Sequence, residues 1–361
     1  MKLKSKKLIY TIGSVILAVV VFLLSLVFTE GAAATVDTST WNPGYENSST
    51  EEESSTKEDD NEGGGLGGGG GESGGGGGGE AGEDGGLSCL FKITTDISGF
   101  IYLRQDSKAD YTGEGEHGFL GDKKYYMEDA TDENPLYYFG LSMEESNFVS
   151  HTAEIELVKL TNEILPYAPL SKTGEVNENK YTVEYFPYDY VTMKTQNIQP
   201  FKNESTDYRQ QEERYREFVD KNYLKIDEDL KQTLLELAEE NGISATSPTV
   251  IEDVAQYIQN AAYYDLNFEY GKYEGEDMVT FFLTKYKRGV CRHFAAAATM
   301  MYRALGIPAR YTIGFAVAVT ANETLEYVGE GHAWTEVYLD GYGWVAVEVT
   351  GGNMYVEETV S

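Results

Sequence analysis

Two cysteines and four histidines are all that the 361 residues contain of either type. Cys89 and Cys291 could pair in an exported chain, but two sulfurs cannot make a disulfide scaffold. His117, His151, His293 and His332 show no HExxH or other ligand spacing, so neither a metal site nor a cofactor is expected. Positive charge is also short: 28 Lys and Arg stand against 60 Asp and Glu, a net charge of −32. A surface of that sign repels DNA, RNA and anionic wall polymers, so no nucleic-acid partner is expected, whereas cationic or neutral partners are favoured. Solubility alone accounts for the charge equally well.

Long apolar runs are nearly absent. The exception, residues 8–28 (LIYTIGSVILAVVVFLLSLVF), carries no charge and as a helix would span roughly 31 Å, the thickness of a bilayer core. Lys2, Lys4, Lys6 and Lys7 precede it and no lysine closely follows. The positive-inside rule then places residues 1–30 as a cytoplasmic tip and transmembrane anchor, with the remainder outside the cell membrane. The GAAAT that follows would suit signal-peptide cleavage, but the run is long for such a peptide and an uncleaved anchor is expected. GLSC, ending at Cys89, lies roughly sixty residues too late to be a lipidation box. A buried strand cysteine is expected there.

From residue 31 to 86 the chain is Ser, Thr, Glu, Asp and Gly, with 14 glycines among residues 61–80. With so little to bury, it should be a disordered acidic tether with ends roughly 40 Å apart. Residues 87–205 change character again. GFIYLRQD, KKYYM, LYYFGLSM, TAEIELVKL, KYTVEYF and DYVTMK read as short strands, separated by turn-rich spacers such as DATDENP and SKTGEVNENK. A small β-sandwich is expected, with its tyrosines fitting the pleat and no chemistry assigned to them. The acids of MEDATDEN lack EF-hand spacing and read as a solvated loop.

Beyond residue 205 the period becomes helical. YREFVDKNYL and DEDLKQTLLELAEENG come first, the latter with Leu230, Leu234, Leu235 and Leu237 on one face and Gly242 closing it. SPTVIEDVAQYIQNAAYY follows, with Ser247 read as N-cap and Pro248 as the first helical residue. A shorter helix is read at GEDMVTFFLTKYKRG. RGVCRHFAAAATMMYRALGIPAR then gives a helix of about four turns, stopped by Gly306 and Pro308. Three strands end the chain: ARYTIGFAVAV, HAWTEVYLD and GWVAVEVT.

Cys291, Phe294, Ala298, Met301 and Leu305 recur at offsets of three and four, so the cysteine opens the inward face of the alanine-rich helix. There the helix dipole and unused N–H groups favour a thiolate, and Gly289 permits close backbone approach. Core filler and nucleophile are both open on this stretch alone. Alanines 295–298 read as a helix thinned to press on a sheet. A nucleophile needs a base. His293 sits about 200° around the helix from Cys291 and reads as a surface or second-layer residue. His332 opens a strand on which Trp334, Glu336 and Tyr338 share its face. Glu348 on the next strand joins that face if the hairpin loop is the three residues 340–342, but not if it is a two-residue turn. Glu336, four residues along from His332, is a poorer third member.

GVCRHFAAAATMMYRALGIPARYTIGF followed by GHAWTEVYLDGYGWVAVEVTGG resembles the core of bacterial transglutaminase-like proteins, over about residues 205–351. FIYLRQD also resembles the β-rich module that precedes this core in membrane-anchored members. The resemblance implies an α+β fold: a papain-like transglutaminase core at 206–361, with helices and antiparallel sheet, preceded by the sandwich-like domain at 87–205. It further implies Cys291 as nucleophile, His332 as base and Glu348 at an acid position commonly held by aspartate. The Cys291 N–H is a natural oxyanion donor, with Tyr263 or Tyr264 as candidates for the second. The expected function is a cell-surface enzyme transferring acyl groups from protein or peptide carboxamides to amines. A cysteine peptidase or amidase acting on extracellular peptides, and a non-catalytic surface scaffold, are the alternatives.

Overall fold

The computed structural model describes residues 89–114, 118–120, 149–160, 171–177, 179–199, 206–268, 275–339 and 342–354. The apolar run at 8–28, the tether, KKYYM, LYYFGLSM, MEDATDEN and His117 lie outside the described residues. Among those described, no helix is long and apolar enough to cross a membrane.

In chain order the strands before residue 190 are β1 Phe91–Thr95, β2 Gly99–Lys108, β3 Asp110–Tyr111, β4 Phe119–Leu120, β5 His151–Leu157, β6 Ser171–Asn177 and β7 Lys180–Tyr185. Helices follow: α1 Tyr190–Thr195, α2 Thr206–Tyr223, α3 Glu228–Glu240 and α4 Val250–Ala261. Strand β8 Tyr263–Tyr264 leads to α5 Met278–Phe281, which runs on as a π-helical turn over Phe282–Tyr286. After β9 Arg288–Gly289 come α6 Cys291–Ala304 and the strands β10 Ala309–Val319, β11 Thr324–Tyr327, β12 His332–Leu339 and β13 Gly343–Val347.

These strands form two larger antiparallel sheets, ordered β11-β1-β5-β7-β6 and β13-β12-β10-β2. Pairing crosses the boundary expected at residue 205 in both directions. β2 lies along β10 from Tyr311 to Val319, and β11 completes the sheet of β1. A sandwich does exist, but one of its layers is the sheet expected to belong to the catalytic core. Phe91, Ile93, Ile155 and Val183 meet Ile101, Leu103, Phe315 and Val317 between the sheets, all buried. The N-terminal part of β10 instead joins the helical core, with Ala309 and Tyr311 packed among residues of α3, α4 and α6.

α6 is central. From His293 to Ala304 every residue is buried, so the helix is apolar nearly all round instead of along one stripe. Ala295, Ala296, Ala297 and Ala298 are fully buried, and the hydroxyl of Thr335 on β12 donates to the Ala295 carbonyl at 2.9 Å. Gly306, at φ +80°, ends the helix in the left-handed conformation that glycine tolerates best.

Four local expectations are corrected. DYVTMK is not a strand; Asp189 accepts from the Thr192 N–H at 2.7 Å and caps α1. SKTGEVNENK is not a spacer, because β6 runs through Ser171–Asn177 beside β7. α4 begins at Val250 with Thr249 at its cap, two residues later than Ser247 would place it. Ser247 and Thr249 both donate to the Asp253 carboxylate instead, at 3.1 and 3.0 Å. Of the leucine face on α3, Leu230 and Leu234 are buried with Ala238, while Leu235 and Leu237 lie at its margin.

Candidate active site

β9 leads directly into α6, so Cys291 occupies the first helical position, where the backbone N–H has no partner within the helix. The approach is held firmly. Arg288 donates to the buried Asp265 carboxylate at 2.9 Å through Nε and 2.6 Å through Nη2, and the Asp265 N–H donates to the Gly289 carbonyl. Gly289 is required by His293: a Cβ there would lie 2.9 Å from the imidazole ring. Of the two places expected for His293, surface or second layer, the surface is excluded. It is buried against Phe268 and Phe282, and its Nδ1 accepts from the Val290 N–H at 3.1 Å. That bond ties the ring to the helix start.

His332 is the first residue of β12 and pairs with Gly314 on β10. Leu339 pairs with Gly343 across the hairpin, the register of a three-residue connection, and Thr335 pairs with Val347. Continued by one residue, that register sets Glu348 on the same face as His332. Their side chains meet, His332 Nε2 to Glu348 Oε2, at 2.8 Å. With Nε2 so occupied, the other ring nitrogen is left for the thiol, and the Cys291 side chain is near enough to act on the charge state of His332. Burial by itself would lower the imidazole pKa. The Glu348 charge, the Cys291 side chain and the Glu348 hydrogen bond outweigh burial and raise it to about 10. Burial pushes the Glu348 carboxyl upward, but the His332 charge and hydrogen bond and the Thr350 N–H leave it below the usual carboxylate range.

The longer side chain of glutamate is accommodated locally. Its Oε1 turns back to accept from the N–H groups of Val349 and Thr350, at 3.1 and 2.8 Å. Gln259 on α4 donates to the Glu348 carbonyl at 3.0 Å, and Gly351 allows the following backbone to pass where a Cβ would lie 2.2 Å from the Gln259 carbonyl oxygen.

Glu336 has a different place. It pairs with Arg310 across β10 and β12 and is fully buried, with Arg310 Nε at 2.7 Å and Arg104 Nη1 at 3.5 Å. Trp334 Nε1 donates to its other oxygen at 3.2 Å. The two candidate tyrosines of β8 are separated by strand alternation: Tyr263 is 53% exposed, whereas Tyr264 turns inward beside Phe294. Burial and then the Cys291 charge raise the Tyr264 pKa, so its hydroxyl keeps its proton. Cys89 precedes β1, partly buried, and both cysteines are free thiols. His151 contacts Asp96 at 3.2 Å, and among the described residues no cluster of His, Cys, Asp and Glu could hold a metal ion.

One residue at the site was read in the sequence only as part of the FIYLRQD strand. Tyr102, on β2, donates its hydroxyl to Glu348 Oε2 at 3.0 Å, and its ring lies over those of Trp334 and His332, with centroids 5.1 and 6.4 Å away. The tyrosines of the N-terminal strands were expected to carry no chemistry, yet Tyr102 stands in direct contact with Glu348.

A family model described as the transglutaminase-like superfamily matches residues 236–349, a span that contains Cys291, His332 and Glu348. Those residues belong to the transglutaminase-like superfamily. The Bacillus subtilis protein YebA is 28% identical over 206 residues, covering 55% of this chain and 27% of that protein. A protein-glutamine gamma-glutamyltransferase of Pseudomonas aeruginosa is 35% identical over 79 residues, covering 21% of this chain and 12% of the relative. The chain therefore spans about a quarter and about an eighth of these two relatives. The periplasmic domain of Pseudomonas aeruginosa TgpA, in its ethylmercury-bound crystal structure, shares the fold at a TM-score of 0.50 and 16% identity. That likeness covers 74% of this chain and 91% of the TgpA domain. It extends well beyond the family-model span, as expected if the N-terminal strands are part of the same architecture.

Proposed function

We propose that this transglutaminase-like protein is a thiol acyltransferase with Cys291 as nucleophile, His332 as acid and base, and Glu348 as the orienting carboxylate. The observation that carries the reading is the His332–Glu348 contact at 2.8 Å, with Cys291 at the start of α6 near enough to act on the imidazole's charge. A histidine held protonated to about 10 can keep its proton beside a thiolate, which is the attacking form.

The Cys291 sulfur attacks the carbonyl carbon of a carboxamide, and the oxyanion so formed is met by the Cys291 N–H and the protonated Tyr264 hydroxyl. The carbon–nitrogen bond then breaks as His332 gives its proton to the departing ammonia, leaving a thioester on Cys291. A primary amine attacks the thioester carbonyl and passes a proton to His332, and the thiolate leaves as the new amide forms. Lysine side chains of exported proteins suit the second step, since the chain's acidic surface attracts cations. We place the catalytic part outside the membrane, anchored by residues 8–28. This rests on the charge asymmetry around that segment and on the likeness to a periplasmic domain.

The test is incorporation of a labelled primary amine into a glutamine-containing protein by the full chain, with Cys291→Ala as control. Cys291-dependent labelling is expected. Release of ammonia or peptide without labelling would reassign the same site to hydrolysis, and inactivity in both would leave a scaffold.

A further inference from the structure

We propose that Tyr102 is a positioning residue for the catalytic carboxylate, so that the sheet built before residue 205 supplies part of the active site. The proposal rests on reading Cys291, His332 and Glu348 as the catalytic set. Tyr102 lies outside the family-model span and 246 residues before Glu348. The FIYLRQD stretch around it resembles a preceding module but carries no sign of this role.

The geometry assigns the hydroxyl one job. It donates to Glu348 Oε2, the same oxygen that His332 Nε2 contacts, while the two backbone N–H groups hold Oε1. Four donors thus surround one carboxylate. The pair on Oε1 comes from Glu348's own neighbours and fixes only the near edge of the group. Tyr102 is the donor that fixes the far edge, and with it the direction in which Oε2 faces the imidazole. The other carboxylate near this hydroxyl, Asp189, is already committed to the Thr192 N–H at 2.7 Å as the cap of α1. Tyr102 is itself held by packing: it is 6% exposed, packed on Trp334 and edge-on to Phe100, and carried by a strand paired with β10 on both sides of one irregularity. A buried carboxylate needs its lone pairs satisfied to remain charged, and a neutral hydroxyl does this without cancelling the charge that His332 requires.

The experiment measures the rate at which iodoacetamide alkylates Cys291 in the full chain, read by mass spectrometry across the neutral range. This reports the thiolate–imidazolium pair without any substrate. Wild type, Tyr102→Phe, Glu348→Ala and the double variant form a cycle. Phenylalanine keeps the ring and removes only the hydroxyl. Tyr102→Phe is expected to slow alkylation about tenfold, the scale of one hydrogen bond to a charged group, with the melting temperature nearly unchanged. The same change is expected to have no effect in the Glu348→Ala background. An unchanged rate, an equal loss in both backgrounds, or unfolding of Tyr102→Phe would assign Tyr102 to packing and overturn the proposal while leaving the triad intact. A wild-type rate indifferent to Glu348→Ala would instead overturn the triad, and this proposal with it.

Discussion

At Glu348 the extra methylene relative to aspartate lets one carboxylate face two ways, with Oε1 on its own backbone and Oε2 on His332 and Tyr102. A side chain one methylene shorter is expected to give up either the local bonds or the imidazole. Glu348→Asp is therefore expected to lower kcat for amine incorporation by about tenfold, one charge-assisted hydrogen bond, with KM little changed. An unaltered kcat would show that the reach is not needed. The charge on His332 carries a second expectation. Its folded pKa is raised to about 10 from an ordinary value of about 6.5, so the folded state binds the proton more tightly. The resulting stability is fully present below the ordinary value and is lost as pH rises through about 10. Thermal unfolding should accordingly show a fall across this alkaline window in wild type and a smaller one in Glu348→Ala, where the carboxylate that raises the pKa is gone. Equal falls in both would dissociate the effect from this pair.

Among the elements, what could be read in the sequence was local or governed by parity. The helix beginning at Cys291 follows from the apolar spacing, whereas the sequence narrowed the His332–Glu348 face to a choice of hairpin loop length that the Leu339–Gly343 pairing decides, because a strand's side chains alternate strictly. Elements decided by one tertiary or capping contact were not legible. DYVTMK is rich in strand formers, yet the Asp189 cap makes it α1, and Glu336, a candidate by position, is claimed by Arg310 across the strand pair. Gly314 belongs to the same class. Nothing local distinguishes it, but a Cβ there would lie 2.1 Å from the Leu103 carbonyl oxygen on β2, at the irregularity in the β2–β10 register. Gly314→Ala should force these strands apart at a cost of about 1–3 kcal/mol, measurable by denaturant unfolding. Because Tyr102 and His332 sit on either side of that join, activity should fall further than the stability loss explains. A variant of wild-type stability and activity would show that the strands yield freely there.

Across the whole molecule, the composition shift near residue 205 marks a change from mainly β to mainly helical structure, and the strand pairing ignores it. β10 is the reason. One part of it lies over α6, while Phe315, Val317 and Val319 extend beyond the helix and are buried against the other sheet. Without residues before 206, those three side chains and the whole hydrogen-bonding edge offered to β2 would meet water. Burial of three such residues is worth on the order of 5–9 kcal/mol, comparable to the total stability of a typical domain. Residues 206–361 made alone should therefore aggregate through the exposed edge and apolar face, whereas residues 87–361 should remain soluble, as read by size-exclusion chromatography. If the shorter chain were instead soluble and folded, and alkylated at Cys291 as fast as the longer one, neither the shared sheet nor Tyr102 could be required for the site.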